Sequence, residues 1–181
     1  PFVLGLMLNL SEAFAGRRPE PGAVAQAEPA GGTHALWEPF SIHGTQQVTV
    51  EDPWEVDLTY VPLARREGFR CLAVDLWVEG GERRDDLTFF PAELRLEDGT
   101  ALLAEDDASL ARQLKDAGVY LVILSDAQWE DPLYGQMIFF VPEDASGGAV
   151  LALYEGEPDS STPSAVHQIP LELPWGAVGT V

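Results

Sequence analysis

Carboxylates are the most plentiful reactive groups in this chain: thirty Asp and Glu stand against ten Lys and Arg. Two runs of them stand out, Glu105-Asp106-Asp107 and Glu130-Asp131. Calcium takes several oxygen ligands, often from loops between strands, so Glu105, Asp106 and Asp107 are a candidate Ca²⁺ site. Neither run follows the spaced Asp-x-Asp-x-Asp-Gly loop, and Asp106 and Asp107 have a competing use at a helix N-terminus, where negative charge is favourable. His34, His43 and His167 have no second His or Cys at ligand spacing, so they do not spell a zinc site and read as surface or strand-end residues. The Gly-x-Ser-x-Gly pattern of a nucleophile elbow is absent. Gly80-Gly81 and Gly147-Gly148 are turn glycines with no following helix or lysine, which excludes a phosphate loop. Among the tryptophans, Trp37, Trp54, Trp77, Trp129 and Trp175, core or edge packing is the commoner use. Trp77 and Trp129 have polar neighbours and are the candidates for contact with a carbohydrate or protein partner.

These residues sit on an acidic chain of formal net charge -20, in which Lys115 is the sole lysine. Such a surface repels phosphate backbones and anionic lipid, which argues against nucleic-acid or membrane-surface binding. It reads first as a solubilising coat, with high-salt adaptation or cation binding as sharper alternatives. The single cysteine, Cys71, cannot form an internal disulfide and lies in an apolar run, where an inert buried thiol is expected. No other cofactor is implied.

The elements that must position the candidates follow from composition and periodicity. The apolar run Phe2–Leu10 is too short to span a bilayer unaided, and Ala13-Phe14-Ala15 before Gly16 fits the small-x-small rule for signal-peptidase cleavage. Residues 1–15 are therefore expected to be an export-signal remnant. A packed strand or helix, or a donor strand for a neighbour's sheet, are the alternatives. Residues 16–35, rich in Ala, Pro, Gly and Glu, read as a disordered linker. Residues 36–173 form the expected domain, and residues 174–181 a tail.

Within the domain the period is two. Thr45–Val50 and Glu55–Val61 alternate, and Phe69–Val78 puts Leu72, Val74, Leu76 and Val78 on one face. Its other face carries Phe69, Cys71, Ala73, Asp75 and Trp77, a mixed surface expected to be partly covered. Leu87–Phe90 and Ala92–Leu96 follow, and Asp98-Gly99 marks a hairpin into Ala101–Leu103. One helix is predicted near Ala108–Ala117, capped by Asp106 or Asp107, with Leu110 and Leu114 on one face and Gly118 after its end. Val119–Leu124, Gln136–Val141 and Ala149–Tyr154 read as further strands. Val166–Leu173 reads as an edge strand, because Pro170 interrupts it. The predicted fold is all-β: an immunoglobulin-like antiparallel β-sandwich with one short helical insertion.

Several segments carry a resemblance. They are Val48-Thr49-Val50, the long Phe69–Val78 strand, Phe90–Gly99, and the run Gly135–Asp144 ahead of Leu151-Ala152-Leu153-Tyr154. Over roughly Thr45 to Tyr154 the chain resembles the immunoglobulin-like domains of unknown function on bacterial lipoproteins and other exported proteins, a group related in fold to mycobacterial secreted antigens. Glu79 stands where that family usually has Asn, the stretch Asp106–Gln128 is longer, and no lipobox cysteine is present, so a lipid anchor does not carry over. The resemblance implies a secreted or cell-surface location and brings no catalytic residues. The expected function is a non-catalytic extracytoplasmic binding or adhesion module for a protein, glycan or envelope component. The alternative is a structural subunit that assembles through its apolar N-terminal segment; an enzyme ranks below both.

Overall fold

The computed structural model describes residues 30–42, 46–80, 92–115, 118–121, 132–155 and 165–175. The alternation in the strongest strand sets the frame. β4 (Phe69–Glu79) lies between β3 (Gln46–Glu55) and β7 (Leu133–Pro142), antiparallel to both. β2 (Phe40–Ile42) adds to the far side of β3, giving the order β2-β3-β4-β7. The facing sheet is built around β8 (Gly148–Glu155). Its neighbours are β5 (Glu93–Leu96) and β9 (Ala165–Glu172), with β6 (Ala101–Leu103) and β1 (Ala30–Thr33) outside them. Placing β3-β4-β7 opposite β9-β8-β5-β6 reproduces the strand arrangement of an immunoglobulin-like sandwich. β1 and β2 are N-terminal additions to its two sheets.

The core between the sheets comes from every second residue. Leu72, Val74, Leu76 and Val78 of β4, Val48 and Val50 of β3, and Met137, Phe139 and Val141 of β7 are buried. They pack against Leu94, Leu96, Leu151, Leu153, Ile169 and Leu171 from the facing sheet. Each such side chain contributes about 1.5–3 kcal/mol relative to exposure, which fixes the register, because a one-residue slip would turn the whole set outward.

A second apolar layer covers half of the outer face of the β2-β3-β4-β7 sheet. Cys71, Ala73, Ile138 and Phe140 meet Val56, Val61 and Ala64 from two 3-10 turns and their flanks, and Leu110 and Leu114 from α1 (Ala108–Lys115). Asp107 caps α1, its Oδ1 accepting the Ser109 N–H at 2.6 Å. The helix stops in a Schellman arrangement: Val119 N–H donates to the Leu114 carbonyl, Gly118 N–H donates to that of Lys115, and Gly118 has φ +78°. Burial raises the Cys71 thiol to about 12, so it stays protonated and inert.

The structure corrects four expectations. The linker does not run to residue 35: Ala30–Thr33 is β1, paired parallel with β9. The apolar pattern cannot show this strand, because Gly31 and Gly32 have no side chains, and Gly31 lies so close to β9 that a Cβ would sit 2.0 Å from the Val166 carbonyl oxygen. The segment Glu55–Val61 is not a strand of its own. β3 continues through Pro53 to Glu55, and a 3-10 turn at Leu58–Tyr60 follows, started by the Asp57 carboxylate accepting the Thr59 N–H. β9 is not an edge over its whole length: Ala165–Gln168 lie between β1 and β8. Pro170 is tolerated because pairing with β1 ends at Gln168, whose carbonyl accepts the His34 N–H, so no partner there requires the missing donor. Of the predicted strand Val119–Leu124, residues 119–120 are not strand and Leu121 makes only an isolated parallel bridge to Gln136. Residues 1–29, Leu87–Phe90, His43, Trp129 and Glu130-Asp131 lie outside the described residues.

Candidate functional site: an aromatic and carboxylate face

The apolar layer over the β2-β3-β4-β7 sheet ends at Ala73, and past that point the same outward positions become polar and aromatic. The register sets Asp75 beside Gln136, Trp77 beside Tyr134, and Thr49 beside Trp77. Between Val50 and Pro53 the pairing of β3 with β4 slips by one residue, a β-bulge. Glu51 and Asp52 then both stand opposite Asp75, and Trp54 is turned onto the outer face.

Asp75 organises this surface. Its Oδ1 accepts from Trp54 Nε1–H at 3.0 Å and from Gln136 Nε2–H at 3.0 Å, and its Oδ2 accepts from the Tyr134 hydroxyl at 3.1 Å. Gln136 is itself held: its Oε1 accepts the Tyr120 N–H at 2.7 Å, and its backbone N–H donates to the Tyr120 carbonyl at 2.8 Å. Tyr120 is thereby fixed next to β7. The rings of Trp77 and Tyr134 lie 5.7 Å apart, tilted by 55°. Tyr120 and Tyr134 are exposed at 57% and 45%, and Trp77 is half-buried.

Charge on this face is concentrated. Burial first, then the neighbouring carboxylates of Asp75 and Asp52, raise the Glu51 carboxyl above its usual value. Burial, then the hydrogen bond to Asp75, raise the Tyr134 phenol. The arrangement offers flat rings for stacking, with carboxylate and amide groups beside them. That is chemistry for holding a ligand.

The expected site residues fall as follows. Trp77 is on this face. Trp54 lies under Asp75. Trp175 is half-buried, its Nε1–H donating to the Ala145 carbonyl at 3.0 Å. Trp37 is exposed on a turn with φ +67°. The candidate calcium ligands are not brought together. Glu105 is held by the Arg66 guanidinium through contacts of 2.7 and 2.9 Å, Asp107 caps α1, and Asp106 is exposed. Among the described residues no group of three or more His, Cys, Asp and Glu converges on a metal-sized point.

Sequence reasoning missed Tyr120, Tyr134, Gln136 and Glu51. The alternation of Phe69–Val78 had put Asp75 and Trp77 on one partly covered face, and extending that period across β7 would have found Tyr134 and Gln136. It also left His34 and His167 apart, whereas the structure joins them: His34 Nε2 lies 3.0 Å from His167 Nδ1. No local signal could pair residues 133 positions apart.

Fold and site together define an immunoglobulin-like β-sandwich with an open aromatic and carboxylate face on one sheet. Comparison with protein-family models, curated proteins and solved structures finds no match to this chain.

Proposed function

We propose that the protein is a non-catalytic, extracytoplasmic binding module of a bacterial exported protein, and that it holds a glycan on the face formed by Trp77, Tyr134 and Tyr120. The observation that carries this reading is the tilted Trp77–Tyr134 pair, 5.7 Å between centroids, beside the hydrogen-bonded Asp75 and Gln136. Sugar rings present C–H faces that stack on aromatic side chains and hydroxyls that donate to carboxylates and amides. Glu51 and Asp75 disfavour an anionic polymer, so a neutral or amino-bearing glycan fits best. The export-like N-terminal sequence and the family resemblance support the extracytoplasmic location.

The test is co-sedimentation of the full chain with insoluble glucans, chitin and peptidoglycan, with an acidic polysaccharide as comparison. Retention on a neutral or amino-sugar polymer, with none on the acidic one, is expected. Retention on none of them would end the glycan reading.

A further inference from the structure

At the edge of the facing sheet, β1 is held, among the described residues, by little besides backbone pairing. Its residues are Ala30, Gly31, Gly32 and Thr33, and Gly31 and Thr33 are exposed. The side chain that secures it is His34, directly after it. The His34 N–H donates to the Gln168 carbonyl at 2.9 Å, and its ring stacks on Phe40 of β2 at 4.1 Å between centroids and 11° between planes. Its Nε2 meets Nδ1 of His167 at 3.0 Å. His167 points inward from β9, is buried, and directs its Nε2 at Glu155 Oε1 at the end of β8.

The protons on this chain of groups are constrained. A carboxylate only accepts, so Nε2 of His167 carries a hydrogen toward Glu155. Nδ1 of neutral His167 is then a bare acceptor, and His34 must donate its Nε2–H to it. One further proton fits, on Nδ1 of His34, without breaking any contact. A second proton does not fit. Nδ1–H of His167 and Nε2–H of His34 would face each other across 3.0 Å, two donors on two cations. Among the described residues, the charged groups facing the pair are Glu155 from β8 and Glu38 from the turn after β1; Phe40 from β2 does not titrate, and β1 offers no ionisable side chain. His167 is anchored inside β9 and by Glu155, so the partner that leaves is His34. In keeping with this, burial and then the charge of His167 lower the pKa of His34, against an opposing pull from Glu38.

We propose that His34 and His167 form an acid-sensitive latch, which holds β1 on the sandwich at neutral pH and frees it once both rings carry a positive charge. The rest of the sandwich has no part in the opening. This device is independent of the aromatic face.

Amide hydrogen exchange of the full chain, corrected for intrinsic rates, tests it. Between about pH 7.5 and about pH 5, protection at residues 31–34 should fall at least about tenfold, while the β8–β9 amides keep theirs. His34→Gln keeps a side-chain N–H donor for His167 without a titrating charge, and His34→Phe keeps the stack on Phe40. Both variants should lose the acid response. Unchanged β1 protection in the parent protein at the lower pH overturns the proposal, and so does an acid response that persists in both variants. Ring ¹⁵N shifts give a second readout: a neutral His167 with its hydrogen on Nδ1 also overturns it.

Discussion

Asp75→Ala removes the acceptor that three donors share, and its cost can be worked from their surroundings. A hydrogen bond to a charged group contributes about 1.5–3 kcal/mol net. Tyr134 is 45% exposed, so its hydroxyl turns to water at little loss. Trp54 is half-buried and Gln136 is buried, so their two N–H groups keep most of the penalty. Two such bonds set an upper figure of about 3–6 kcal/mol, and partial access of water to Trp54 brings it to roughly 2–3 kcal/mol. Asp75→Asn retains an Oδ1 acceptor for both N–H groups, and its amide can donate to the Tyr134 hydroxyl, so its cost stays below about 1 kcal/mol. Both variants remove the same negative charge from beside Glu51, and that relief cancels in their difference. The Ala variant should therefore be about 1.5–2 kcal/mol less stable than the Asn variant, measured by urea unfolding followed through tryptophan fluorescence. A difference below about 0.5 kcal/mol would refute the role of Asp75 as the organiser of this face.

Further outcomes follow from the same geometry. Glu51 has a folded-state pKa raised above its ordinary 4.5, so it favours folding below that value and the contribution is lost as pH rises through the folded pKa. Glu51→Gln should accordingly stabilise the protein at neutral pH and flatten the stability profile above pH 4.5, read from melting temperatures across pH. Val74→Asp puts an unpaired charge on the inner face of β4, costs about 4 kcal/mol or more, and should leave no cooperative unfolding transition. Leu114→Ala should cost about 3 kcal/mol by equilibrium unfolding, since Leu114 is fully buried between α1 and the sheet. Calcium at constant ionic strength should move the melting temperature no more than magnesium does, and Asp106→Asn with Asp107→Asn should leave that response unchanged, because Asn keeps the cap of α1.

What the sequence made legible was local. β4 announced itself because its inner and outer residues differ in kind over a full strand. Asp98-Gly99 marked the β5–β6 hairpin, where Gly99 has φ +87° and the Leu96 N–H bonds the Thr100 carbonyl. A cap at Asp106 or Asp107, the Leu110–Leu114 stripe and the stop at Gly118 defined α1, and the structure selects Asp107 as the cap. What stayed hidden depends on distant pairing. β1 exists because two glycines let one backbone approach another, which leaves no hydrophobic pattern to read. The bulge that brings Glu51 and Asp52 opposite Asp75 is a slip of register between strands, invisible along either one. The polar neighbours of Trp77 make it a candidate for partner contact, but the tyrosines beside it come from β7 and from residue 120, more than forty positions away.

The measurement that bears most directly on the proposed function is the affinity of the chain for whichever glycan retains it, compared with that of a Trp77→Ala, Tyr134→Ala double variant. Circular dichroism and thermal unfolding establish that the variant keeps the sandwich. Removing two stacking rings from the centre of a recognition face should cost about 2 kcal/mol or more, a loss of affinity of about thirtyfold or greater. A folded double variant that binds the glycan as tightly as the parent would contradict the account and move the binding site off this face.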